Sequence, residues 1–191
     1  MKKLTAILVA LIMCLSFAAC GDEGANTSSS KYIPGGTYFG MSVDEVLDAR
    51  KDAPYGVEKS DLFTKRYGHT VVTESINAKV FKEYFGDSVF GDFSSASIYY
   101  HFDDGEKLYA VEAYLSGSSE SAWEDGMNVI VGHYEDLIGE EPEIEGKSAS
   151  VATATWKMDD ANIVVEIWDG DTIYSIETWI VAPDKEIPEY I

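Results

Sequence analysis

The sequence predicts an α+β domain in which helices back one antiparallel sheet. Two observations lead to this prediction: two amphipathic segments carry helix-start signals, and strand-like alternations of apolar and polar residues follow each of them. Such alternation is typical of strands that bury one face and leave the other more open. The same order occurs twice, so we expect two helix-plus-antiparallel-meander repeats, 38–117 and 118–182, that form one helix-backed sheet.

Both predicted helices begin at an S-x-x-E motif, in which the serine and glutamate side chains bond free backbone amides. Ser42 opens a short helix over 43–51. Ser121 opens a longer helix, whose apolar residues fall on one stripe as far as Ile138. Gly139 follows as a left-handed C-terminal cap.

Two aspartate-containing turns, Asp103-Asp104-Gly105 and Asp159-Asp160-Ala161-Asn162, separate alternating segments and predict hairpins. Counting outward from the first turn pairs Tyr100 with Tyr109. Aspartate and glycine tolerate tight turns, and no calcium-loop spacing is present, so we interpret these aspartates as turn residues. The segment 58–90 is harder to interpret; within it, 69–76 reads as a strand.

The first 19 residues have the organisation of a secretory signal peptide, with two lysines, an apolar run and small residues at the end. Cys20 follows two alanines, which resembles the lipobox of bacterial lipoproteins, where this cysteine is lipidated. The alternative is an ordinary cleavage site that leaves a free thiol. The lipid would anchor the protein on the extracytoplasmic face of the cell membrane.

After the lipidation site, residues 20–31 are rich in glycine, serine and acids, which predicts a flexible tether. The remainder, 32–191, is expected to form a single domain. The only cysteines are Cys14 and Cys20, so this domain has neither a disulfide nor a thiolate metal site.

The charge of the chain limits its partners. With 34 acidic and 14 basic residues, the net charge is −20. Phosphate backbones and anionic bilayer surfaces are repelled by such a field, so nucleic acid is excluded as a partner.

No motif identifies a reaction. The three histidines, His69, His101 and His133, have no metal-ligand spacing, and we interpret His101 and His133 as surface residues. We therefore expect no catalytic residue, no metal and no cofactor. A cell-wall hydrolase is kept as an alternative, because paired carboxylates are spaced in three dimensions and not along the sequence.

The face of the predicted sheet opposite the core would carry aromatic residues among hydroxyls and carboxylates, which suits recognition. The predicted partner-binding residues on this face are Tyr99, His101, Tyr114, Trp168 and Trp179. The alternative is that Trp168 and Trp179 pack under neighbouring loops or the C-terminal tail.

The helix start at 39–46 and the Gly-x-x-Pro sequence at 139–142 resemble the β-lactamase-inhibitor-protein-like family. The helix start is also similar to a family of small lipoproteins of the outer-membrane barrel-assembly machinery. The resemblance implies protein binding without catalysis. We therefore expect a lipid-anchored binding module for a protein or another envelope ligand, with a structural or assembly lipoprotein as the alternative. The sequence identifies neither the ligand nor the oligomeric state.

Overall fold

The structure is a computed structural model that describes residues 31–33, 35–76, 93–117, 120–148, 151–169 and 174–191. Its helices are α1 (Val43–Ala49), α2 (Asp61–Tyr67) and α3 (Glu120–Ile138). Its strands are β1 (Val57–Lys59), β2 (Val71–Ser75), β3 (Phe93–Phe102), β4 (Leu108–Gly117), β5 (Glu143–Ser148), β6 (Val151–Lys157), β7 (Asn162–Asp169) and β8 (Tyr174–Val181).

The eight described strands form one antiparallel sheet in the order β1-β2-β3-β4-β8-β7-β6-β5. This order consists of two four-stranded meanders, which meet where β4 pairs with β8. The helix α1 precedes the first meander in the chain, and α3 precedes the second. The predicted single antiparallel sheet with helices is therefore confirmed.

One face of the sheet, which we call the first face, packs against α1 and α3. Val46 of α1 and Ile130 and Tyr134 of α3 are buried in the same cluster as the strand residues. Tyr32 and Ile33 join this cluster. The strand residues include Ile98, Tyr100, Val111, Leu115, Trp156, Ile163, Val165, Ile167, Ile176 and Ile180. Burial of these side chains is the main stabilising contribution to the fold.

The helix-start signal at Ser42 and the helix-stop signal at Gly139 have the predicted local effects. The hydroxyl of Ser42 accepts a hydrogen bond from the Glu45 amide at 3.3 Å, and the Glu45 carboxylate accepts one from the Ser42 amide at 2.7 Å. Gly139 follows α3 with a φ of 82°. The helix α1 ends two residues before position 51. The helix α3 begins at Glu120, so Ser121 lies inside it and the predicted helix start at Ser121 is wrong by one residue.

The first hairpin differs from the predicted register by two residues. Tyr100 pairs with Val111 and not with Tyr109, but a shift of two keeps the same side chains on the same face. A bulge at Tyr109 then lets Phe102 pair with Leu108, which is buried on the first face. The turn role of Asp103 is confirmed, because its Oδ1 accepts the amides of the two residues at 105 and 107, each at 3.0 Å.

The poorly interpreted segment contains β1, α2 and β2. The strand predicted over 69–76 is confirmed by β2, whereas β1 and α2 were not predicted. Residues 77–92, where a short helix or irregular strand was considered, lie outside the described residues, as do the predicted leader and Cys20.

A buried ion pair links α1 to the first face of the sheet. Arg50, which caps α1, donates from Nε to Glu74 Oε2 at 2.9 Å and from Nη2 to Oε1 at 2.7 Å. The Tyr100 hydroxyl donates to the same carboxylate at 2.9 Å. Gly35 lies against this group, because a Cβ at that position would overlap the guanidinium. The carboxylate of Glu74 is therefore fully desolvated but has charge-assisted partners.

Arg50→Ala should lower the free energy of unfolding by about 3 to 5 kcal/mol, because it leaves the Glu74 carboxylate buried without its guanidinium. The matched control is Lys51→Ala. Lys51 is the next residue, and its ion pair with Asp48 is exposed, so this change should leave the urea midpoint nearly unchanged. Equal losses of unfolding free energy in the two variants would show that the buried ion pair does not stabilise the fold more than the exposed one.

Candidate binding surface

The opposite side of the sheet, which we call the second face, carries the side chains that alternate with the core residues. The strand register aligns them in rows that cross the sheet. One row contains Glu145, Thr153, Glu166, Glu177 and Tyr114. The next row contains Glu143, Thr155, Val164, Trp179, Glu112 and Tyr99. Neighbouring strands are about 4.8 Å apart, so side chains that are adjacent in a row can interact directly.

The helix α2 and the C-terminal segment cover part of the second face. Tyr67 of α2 and Trp179 of β8 are buried in one cluster, and Ile187 packs against it. Phe63 of α2 packs on Tyr99, with 4.5 Å between ring centroids. This coverage extends over β2, β3, β4 and the adjacent part of β8.

Local signals position α2. The Ser60 hydroxyl accepts a hydrogen bond from the amide of the residue at 63, and Gly68 ends the helix with a φ of 75°. The C-terminal segment is held on α2 by three contacts. The Ile191 amide donates to the Arg66 carbonyl at 3.0 Å, and the Arg66 guanidinium lies 4.0 Å from the centroid of the Tyr190 ring. Tyr190 also stacks on the α2 tyrosine at 4.5 Å between centroids.

A buried polar cluster lies beneath α2. The Tyr67 hydroxyl donates to Glu112 Oε2 at 3.1 Å. His101 Nδ1 lies 3.0 Å from His69 Nε2, so one of these two nitrogens carries the shared proton. His101 Nε2 has no hydrogen-bond partner among the described residues, since Glu112 Oε2 is 3.5 Å away.

Burial determines the charge of this cluster. It lowers the pKa of His101 to about 3, so this imidazole is neutral at neutral pH and its contact with Glu112 is not an ion pair. Burial raises the pKa of Glu112 to about 7, against smaller opposing effects of the Tyr67 hydrogen bond and the Arg66 charge. Because His101 is 0% exposed and Glu112 is 1% exposed, neither can contact a ligand from solvent in this arrangement.

A different part of the second face remains accessible. Trp168 is 48% exposed, and Tyr114, Glu166 and Glu177 are half-buried around it. We call these four residues the acidic–aromatic surface. Trp168 and Glu166 are two residues apart on β7, so their side chains lie on the same face about 7 Å apart. Glu166 and Glu177 face each other on neighbouring strands.

Both carboxylates of this surface have a pKa above the ordinary value for glutamate. Partial burial, followed by the charges of Glu112 and Glu166, raises the pKa of Glu177 to about 7, although a hydrogen bond from Trp179 and the Arg66 charge lower it. Partial burial also raises the pKa of Glu166. A positive group placed here would lower the pKa of both carboxylates, because it favours their ionised form.

All five residues predicted to bind a partner lie on the second face, but they do not form one open surface. Trp168 is about half exposed and Tyr114 is half-buried. The exposure expected of His101 and Trp179 is wrong, because α2 and the C-terminal segment cover them and leave 0% and 3% exposed. Tyr99 is half-buried under Phe63. The alternative in which tryptophans pack under the tail therefore applies to Trp179, and the binding roles stay predictions.

Sequence reasoning missed two contributors to this face. The first is α2, whose Ser60 and Gly68 caps are visible in the sequence but flank only seven residues. The second is the proximity of the glutamates at 112, 166 and 177 to one another. Their alternation with apolar residues places them on the second face, but only the strand order brings them together.

A groove beside the buried cluster carries further acids without forming a metal centre. His69, Asp103, Asp104 and Glu106 line it. Asp103 is already engaged by turn amides and lies 3.7 Å from the Lys185 ammonium. In the described part of the chain, no group of three or more His, Cys, Asp or Glu side chains is arranged to hold a metal ion.

Comparisons with known proteins give no relative. The chain matches no family model, no curated protein and no solved structure. Among the described residues, no helix has the length and apolar character needed to cross a membrane.

Three tryptophan substitutions distinguish buried from accessible positions. Trp156→Ala and Trp179→Ala should each lower the free energy of unfolding by about 3 to 5 kcal/mol, because both side chains are 3% exposed. Trp168→Ala should change it by only about 0.5 kcal/mol. Denaturant midpoints measure all three. A loss for Trp168→Ala as large as that for Trp156→Ala would place Trp168 in a packed environment and remove the acidic–aromatic surface.

The charge of Glu112 should make stability depend on pH. The ordinary pKa of a glutamate is about 4.5, whereas that of Glu112 in the native state is about 7. Between these two pH values, Glu112 holds a proton in the native state that it releases in the unfolded chain. The contribution of Glu112 to the free energy of unfolding therefore falls as pH rises through this window. Glu112→Gln has no such titration and should gain stability relative to the parent protein from pH 5 to pH 8.

Urea unfolding at several pH values measures this difference directly. Subtracting the free energies of unfolding of the two proteins removes the opposite pH effect of His101, which is present in both. Glu58→Gln, at an exposed glutamate on β1, is the control for loss of one carboxylate outside the buried cluster. A constant difference for Glu112→Gln would contradict the burial argument.

Proposed function

We propose that the chain is a non-enzymatic binding module that recognises its partner through the acidic–aromatic surface. The observation that carries this proposal is the exposed Trp168 beside two carboxylates on an otherwise well-packed sheet. The predicted lipid on Cys20 would hold the module on the extracytoplasmic face of the membrane, with 20–31 as its tether.

The exposure of Trp168 supports a binding role on energetic grounds. Trp156 and Trp179, on the same sheet, are each 3% exposed, whereas Trp168 leaves about half of its surface in water. Burying such a side chain against a partner contributes both apolar area and a fixed orientation. Tryptophan is accordingly frequent among the residues that dominate binding energy at interfaces.

The hydrolase alternative has one observation in its favour. Glu166 and Glu177 oppose each other on neighbouring strands, and glycosidases use two nearby carboxylates, one with a raised pKa. However, this pair lies on an open sheet face, and such chemistry needs a cleft that holds the scissile bond of the substrate between the two carboxylates. Binding without catalysis is therefore the better-supported function. A structural or assembly lipoprotein would use the same surface with a permanent partner.

The two meanders support a second proposal, which concerns the origin of the fold in two repeats. Each follows a helix in the chain, and each contains four consecutive antiparallel strands. We infer that they are the two predicted repeats, as in the β-lactamase-inhibitor-protein-like fold, with α2 added to the first. A protein-binding role would agree with that resemblance, although fold alone does not determine function.

The test compares cross-linked partners of the tagged full chain in cells. Trp168→Ala should reduce the recovered partner by about tenfold or more, since a true anchor residue contributes about 2 kcal/mol. The control is Tyr55→Ala, because Tyr55 is also an exposed aromatic residue, at 63%, but lies outside this surface. Equal recovery of the same partner with Trp168→Ala and the parent protein would contradict the proposal.

A further inference from the structure

Carboxylates dominate the second face around Trp168. Glu145, Glu166 and Glu177 lie in one row across β5, β7 and β8, and Glu143 lies in the next row. Among the described side chains of β5 to β8, the one basic group is Lys157, at the far end of β6. The described side chains of these strands therefore give this part of the face a negative charge.

The carboxylates are spread along the sheet and do not converge on a point. In the described part of the chain they form no three-ligand arrangement for a metal ion. From the strand spacing of about 4.8 Å, the row from Glu145 to Glu177 spans about 14 Å. An extended peptide places successive same-side residues about 7 Å apart, so one short segment could reach several of these carboxylates.

The indole of Trp168, beside the carboxylate of Glu166, favours one kind of cation. A guanidinium can stack flat on an indole within about 6 Å and still donate hydrogen bonds from its edge. The carboxylate of Glu166 is two residues from Trp168 on the same strand, within reach of such an edge. An ammonium group can satisfy one of these contacts well, but it lacks the planar shape that satisfies both.

We propose, on the basis of the binding role proposed above, that the acidic–aromatic surface binds a basic, arginine-containing segment of a protein partner. Charge complementarity favours a basic peptide segment over the other kinds of partner considered for this surface. A second copy of the chain carries the same net charge of −20 and is repelled, as are nucleic acids and anionic lipid surfaces. An arginine on the indole and a neighbouring basic residue on Glu177 would neutralise the centre of the surface.

Such binding should depend on pH in a defined direction. The charged and titratable groups that act on Glu177 are Glu112 of β4, Glu166 of β7 and Arg66 of α2. Since the pKa of Glu177 is raised to about 7 in the free protein, a bound cation displaces its remaining proton. Affinity should therefore increase between pH 6 and pH 8, and the increase should be smaller in Glu177→Gln.

The experiment titrates the full chain, in neutral detergent, with a labelled short peptide of alternating arginine and glycine. Trp168→Ala and the double variant Glu166→Gln/Glu177→Gln should each weaken binding about tenfold, the effect of losing one or two desolvated cation contacts. The charge-matched control, Asp44→Asn/Asp52→Asn, removes two exposed acids of the α1 region and should weaken binding by less than about twofold. The corresponding lysine peptide should bind more weakly than the arginine peptide.

Two results would overturn the inference. The first is equal weakening by the two double variants, which would indicate general attraction to an acidic protein. The second is unchanged peptide affinity in Trp168→Ala. If that variant nevertheless loses its cross-linked partner in cells, the binding surface stands and only its basic partner is wrong. If the cross-linked partner is also retained, both proposals fail.

Discussion

The pairing of β4 with β8 is the interaction on which the rest of the structure depends. It joins the two meanders into one sheet and aligns their side chains in continuous rows. Because side chains alternate strictly along a strand, this register determines which residues reach each face. The first face receives the large aliphatic residues that pack on α1 and α3. The second face receives Glu112, Glu177 and Trp179.

Partial coverage of the second face produces two different environments from similar residues. Beneath α2, Glu112 and His101 are desolvated, and their charges are suppressed. Beyond the edge of α2 and the C-terminal segment, Glu166 and Trp168 remain in contact with water. Glu177 lies between the two environments and interacts with both sets of carboxylates. The helix α2 and the C-terminal segment together thus separate a buried polar cluster from an accessible surface.

The sequence predicts the faces of the strands well because alternation is a local property. It correctly placed Trp156 on one face and Trp168 and Trp179 on the other. It could not predict coverage, because Trp179 is buried by α2 and by residues near the C-terminus. The bulge at Tyr109 and the pairing of Arg50 with Glu74, 24 residues apart, likewise follow from tertiary packing. The lipidation of Cys20 and the family resemblance remain predictions from the sequence.

The central claim is that Trp168 belongs to an accessible binding surface while the other tryptophans on the sheet belong to the fold. Hydroxyl-radical footprinting with mass spectrometry tests this claim in one experiment, on the full chain with and without its cross-linked partner. The account predicts that in the free protein Trp168 is oxidised much faster than Trp156 and Trp179, and that the partner protects Trp168 selectively. Equal oxidation of the three residues in the free protein, or no protection of Trp168 by the partner, would contradict it.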